Sequence, residues 1–140
     1  MTADVVRDVV RDLLRESRTV AVVGCSPKPE RPSFGVARYL QRVGYRIVPV
    51  NPGHDTILGE RSYRTLADAA REQAIDIVDV FRRSEFAGAV VDEAIAIHPK
   101  LIWLQLGITD DAARARAEAA GIPIVMDRCL AIDHRQLLGD

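Results

Sequence analysis

The stretch from Thr19 to Pro52, TVAVVGCSPKPERPSFGVARYLQRVGYRIVPVNP, restricts the fold of this chain more than any other. Thr19 to Val23 is an unbroken run of β-branched and small apolar residues, the composition of a strand covered on both faces, and Gly24 ends it. Pro27, Pro29 and Pro32 forbid a regular element until Ser33. Ser33 can cap a helix that runs through Phe34, Val36, Ala37, Leu40 and Val43 and stops at Gly44. Tyr45 to Val50 is a second strand, ending in Asn51-Pro52. A parallel strand that turns at a glycine and feeds a helix gathers backbone N–H groups and the positive end of a helix dipole at one concave spot, which suits phosphate.

The remainder repeats the pattern. Thr2 can cap an amphipathic helix whose apolar residues Val5, Val6, Val9, Val10, Leu13 and Leu14 recur in pairs every four positions. Asn51 to Arg64, with Gly53 and Gly59, reads as a surface crossing with a short extended piece near Thr56 to Leu58. Thr65 caps a short helix, LADAARE, and Ile75 to Phe81 is strand three. Ser84 opens a helix with Phe86, Val90, Val91, Ala94 and Ile95 inward, and Pro99 marks its end. Leu101 to Leu106 is strand four, Thr109 caps an alanine-rich helix closed by Gly121, Ile122 to Met126 is strand five, and Ala131 to Leu138 is a final helix. Strands alternating with helices give an α/β fold, a doubly wound, five-stranded parallel sheet. The glycine turn favours a Rossmann-like order 3-2-1-4-5 over 2-1-3-4-5, which puts the reversal between strands one and four. With 140 residues and 48% hydrophobic content, one domain is expected over 1–140, with 1–17 as a helix packed on it.

Several function classes are disfavoured. Nineteen basic residues against twenty acidic ones give a net charge of -1, so no nucleic-acid footprint is expected. No apolar run approaches the roughly 20 residues that span a bilayer. The periodically charged start lacks the form of a secretory leader, and a cytoplasmic location is expected. Cys25 and Cys129 form no CxxC pair and read as free thiols. His54, His98 and His134 share no spacing and read as surface residues without a metal. Asp79 and Asp127 sit near strand ends, where a base would be useful, but nothing pairs them with a nucleophile. Trp103 reads as core.

Ligands of open α/β sheets sit beyond the carboxyl ends of the strands. Here those ends carry Gly24 to Ser26, Asn51, Phe81 to Arg83, and Gln105 to Gly107. The dinucleotide pattern G-x-G-x-x-G is absent, because Ser26 stands where the second glycine belongs and Gly35 comes too late for the third. Asn51 replaces the acid that grips a ribose, so NAD is disfavoured, and no Walker A loop is present. Lys28 and Arg31, in a loop stiffened by prolines, are candidate phosphate cations, as are Arg82 and Arg83. Gln105 interrupts an apolar strand, and its amide needs either a ligand or a structural partner.

The blocks VAVVGCS, PSFGVARYL, GYRIVPVNP, VDVFRR, IWLQLGI and VMDRC, in this order from about Thr19 to the C-terminus, resemble the small stand-alone CoA-binding proteins of bacteria. That family is similar to the CoA-binding domain of succinyl-CoA synthetase alpha chains. The resemblance implies a Rossmann-like CoA-binding domain with CoA or acyl-CoA over the carboxyl edge of the sheet. It implies that Gly24, Cys25 and Ser26 lie under the nucleotide phosphates and that Ser33 and Phe34 start the helix facing the diphosphate. It further implies that Pro49, Val50, Asn51 and Pro52 border the nucleotide, that Val80, Phe81 and Arg82 line the ligand, and that Gln105 and Gly107 border pantetheine. A non-enzymatic CoA-binding protein is the expectation; the alternatives are an enzyme subunit acting on a CoA thioester and an NAD(P)-binding protein. A protein partner docking on Ala3 to Glu16 is a further possibility. Cys25 reads first as a small space-filling residue at a tight turn; the alternative is that, beside a helix start and cations, it has a lowered pKa and exchanges disulfides with the CoA thiol.

Overall fold

The structure, a computed structural model, describes residues 3–139; Thr2, and with it the expected cap, and the side chain of Val5 lie outside the described residues. The chain runs α1 (Ala3–Glu16), β1 (Thr19–Val23), α2 (Pro32–Arg42), β2 (Arg46–Val50), β3 (Thr56–Ile57), β4 (Glu60–Arg61), α3 (Leu66–Glu72), β5 (Ile77–Val80), α4 (Ser84–Ile97), β6 (Leu101–Leu104), α5 (Asp111–Ala119), β7 (Ile124–Val125) and α6 (Leu130–Leu138). β2, β1, β5, β6 and β7 pair in that order, all parallel, and β3 and β4 form a separate antiparallel hairpin.

Because side chains alternate along a strand, each strand feeds two cores. Ala21, Val23, Val78, Val80, Ile102 and Leu104 pack under α3, α4 and α5. Val20, Val22, Ile77, Leu101 and Trp103 pack under α1, α2 and α6 on the opposite face. The sheet is therefore doubly wound, and the central strands are apolar on both sides for that reason. α1 buries Val10 and Leu14 and leaves Val6 and Val9 exposed.

The strand order corrects the expected one. Numbered along the chain, the five main strands lie as 2-1-3-4-5, and the reversal falls between β1 and β5. The cause is the segment after β2. It spends its length on the β3–β4 hairpin and pairs with the sheet edge through a single parallel bridge, Val50 to Tyr63. Counted as a strand, that bridge would restore the Rossmann order with β5 as its fourth strand; as a single bridge it leaves β2 the edge strand of the sheet.

Helix starts agree in part. Thr65 Oγ1 accepts from the N–H of Asp68, as expected of a cap. Ser33 is not the cap of α2, which starts at Pro32 after Arg31, and Asp110 rather than Thr109 caps α5 by accepting from Ala113 N–H. His134 is buried, not a surface residue: it lies on the inward side of α6, edge-on to Tyr39 and Tyr45, with Nδ1 2.7 Å from the Tyr39 hydroxyl.

Candidate functional site

At the carboxyl edge of the sheet the turns after four strands and the start of α6 enclose a cleft of about 720 Å³. Its floor begins at Gly24. The backbone there is held at φ +86°, and a Cβ would stand 2.7 Å from the Phe81 carbonyl oxygen, so the turns after β1 and β5 approach as closely as only glycine permits. Past the turn, Ser33 Oγ accepts from Ser26 N–H at 2.9 Å, and Ser26 Oγ accepts from Lys28 N–H at 3.1 Å. Arg31 N–H donates to the Lys28 carbonyl, and Pro32 occupies the first position of α2, where its lack of an N–H is harmless. The proline loop is thus folded onto the start of α2 by its own hydroxyls. Asn51 holds the neighbouring turn: its amide donates to the Cys25 carbonyl at 2.8 Å while its Oδ1 accepts from Gly53 N–H.

Lys28, Arg31, Arg82 and Arg83 line this cleft, and no Asp or Glu is among the described residues that do. In a chain with more acidic than basic residues, that segregation makes the cleft locally positive. Arg82 lies over the Phe86 ring at 5.6 Å, and Arg83 is 3.6 Å from Glu85 in an exposed pair. On the β6 side, Gln105 is only 5% exposed, and its Oε1 accepts from Leu130 N–H at 3.0 Å. A backbone N–H can only donate, so this bond fixes the amide orientation and turns Nε2 toward the cleft. Around it the loops are laced together: Gly107 N–H donates to Asp127 Oδ1 at 2.6 Å, and Asp127 N–H donates to the Ile108 carbonyl. Asp127 is therefore a structural acceptor in a left-handed turn, at φ 59°.

Of the residues singled out in the sequence, the structure gathers Gly24, Ser26, Lys28, Arg31, Ser33, Asn51, Phe81, Arg82 and Gln105 on the cleft wall. The others lie elsewhere. Val50 and Val80 face the core, Pro49 is buried within β2, and Phe34 is half-buried on α2. Pro52 is exposed beyond the cleft, and Gly107 is exposed beside Asp127. Cys25 is fully buried, and its thiol is pushed up to about 11, first by burial and then by neighbouring Asp79. The alternative of a lowered Cys25 pKa is thereby overturned: the side chain turns into the core under α2 instead of toward the cations. Sequence reasoning missed His54, Val36, Ile108, Cys129 and Ile132, all on the wall. The signal for the last two was available, since they follow strand five and the same carboxyl-end rule applies to it.

Asp79, in the middle of β5, is completely buried, and neither carboxylate oxygen has a partner among the described residues. Burial raises its pKa well above the usual carboxylate range. Burial favours its protonated form, and it is not a base open to the cleft.

A family profile described as a CoA binding domain matches residues 18–135. The protein YneT of Bacillus subtilis (strain 168), itself uncharacterized, is 35% identical over 125 residues, covering 89% of this chain and 91% of its own. The solved structure of cell-free ID.343 from Thermus thermophilus superposes with a TM-score of 0.89 at 37% identity, covering 94% of this chain and 98% of that one. The fold also recurs, at a TM-score of 0.69 and 22% identity, in the dinucleotide forming acetyl-coenzyme A synthetase 1 of Ca. Korarchaeum cryptofilum, where it matches 82% of this chain and 27% of the other. Among the described residues no helix is long and apolar enough to cross a membrane.

Proposed function

The chain belongs to the CoA-binding domain family, and from that premise we propose that it binds CoA in the cleft at the carboxyl edge of its sheet and holds it without turning it over. The observation that carries this reading is the cleft's charge: four cations line it beside the start of α2, with no carboxylate among them. CoA brings a diphosphate and a 3′-phosphate, which call for cations and N–H donors at two places. Ser26 and the pinned loop leave room under the start of α2 for the diphosphate, and Lys28, Arg31, Arg82 and Arg83 are the residues that would meet the anionic groups. Nothing at the end of β2 suits the ribose of NAD, because Asn51 is occupied with Cys25 and Gly53. Binding without turnover is supported by the state of the nearby reactive groups. The Cys25 thiol and the Asp79 carboxyl are buried, which favours the protonated form of each, and Asp127 is bonded to Gly107.

Titration calorimetry with CoA, dephospho-CoA, NAD and NADP tests the reading. CoA binds tightest, and Arg82→Ala weakens it by about tenfold, the size of one charge-assisted contact. A preference for NAD over CoA overturns it. Release of free thiol from an acyl-CoA above the blank would instead make the protein an enzyme.

A further inference from the structure

The cleft has two chemically different ends, and the sheet order separates them. The cations stand on the turns after β1 and β5; Gln105 and Leu106 follow β6, and Cys129 and Ile132 follow β7. Leu106 is 68% exposed and Ile132 51%, two large apolar side chains left uncovered beside a cleft. Between them Gln105 lines the cleft, and with its Oε1 taken by Leu130 N–H its N–H₂ is left to donate to a ligand. An N–H₂ open to the cleft is a donor from which a ligand carbonyl can accept.

From this arrangement, and resting on the CoA reading above, we infer that the protein's ligand is an acyl thioester of CoA. Its thioester carbonyl accepts from Gln105 Nε2, and its acyl chain lies on Leu106 and Ile132. Lengths agree with this. From β1 to β7 is three strand spacings, about 14 Å. The pantetheine arm from diphosphate to sulfur spans about 15 Å when extended, at ~3.5 Å per three bonds. A diphosphate held after β1 thus delivers the sulfur beside Cys129 and Gln105. Free CoA would leave the apolar pair facing water.

The test is an affinity series on the wild-type protein with CoA, acetyl-CoA, butanoyl-CoA and hexanoyl-CoA. Affinity rises about twofold per added methylene, the gain from half-burying a CH₂. Ile132→Ser, at an exposed position, flattens that rise. Gln105→Glu, which keeps the acceptor for Leu130 N–H but loses the donor, cuts the ratio of acetyl-CoA to CoA affinity at least fivefold. Alkylation of Cys129 by iodoacetamide, read by peptide mass, slows more with saturating hexanoyl-CoA than with saturating CoA. If CoA binds but the series is flat and Cys129 is shielded equally by both, the acyl inference is overturned and the CoA reading stands. If neither CoA nor any thioester binds, both are overturned.

Discussion

A Cβ on Gly24 would stand 2.7 Å from the carbonyl oxygen of Phe81, in backbone held at φ +86°. Gly24→Ala therefore meets a steric conflict and a left-handed conformation together, and a loss of at least about 2 kcal/mol is expected in urea unfolding. Asp79 makes a prediction of opposite character. Its pKa is raised in the fold by burial, so the native state holds the proton that the unfolded chain releases near pH 3.9. Its contribution is fully present below that pH and is lost as pH rises toward the folded pKa. Relative to Asp79→Asn, which cannot ionise, the wild type loses stability steadily as pH rises through that window. Unfolding curves of the two proteins at pH 5, 6, 7 and 8 measure it, and parallel curves would refute it. The two thiols differ as well: Cys129 in the folded protein reacts with a thiol reagent, whereas Cys25, fully buried, reacts only on unfolding.

Among the elements, the start of α2 is where sequence and structure diverge most usefully. A serine before a helix suggests a cap, but Pro32 begins α2 ahead of Ser33, and the hydroxyl turns back to the Ser26 N–H instead. Ser33→Ala should cost about 1 kcal/mol and release the loop over the cleft, lowering CoA affinity more than stability alone explains; calorimetry beside a melting curve separates the two. The main strands and helices were legible because each apolar run was bounded by glycine, proline or a polar turn. Their order was not. It depended on whether the chain after β2 adds a full strand, and a single Tyr63 bridge within a Gly-rich crossing leaves no periodic trace. Likewise Gln105 was visible as a polar residue in an apolar run, while its partner, the Leu130 N–H, is a backbone group 25 residues away that no side-chain pattern announces.

For the molecule as a whole, a net charge of -1 conceals a separation of charge, with four cations gathered at one edge of the sheet. That edge is fixed by bonds between loops as well as by the sheet. Ser33 to Ser26 to Lys28 pins the β1–α2 loop on itself, and Asn51 to Cys25, Gln105 to Leu130 and Gly107 to Asp127 each tie one connection to another. The consequence concerns rates. A receptor whose loops are already in place has no slow rearrangement to await, so encounter with an anionic ligand is governed by diffusion and steering. In stopped-flow measurements the association rate of CoA should fall several-fold between 20 and 200 mM salt, with a single phase linear in ligand concentration. A saturating, hyperbolic rate would instead mean that the pinned loop opens before it admits anything.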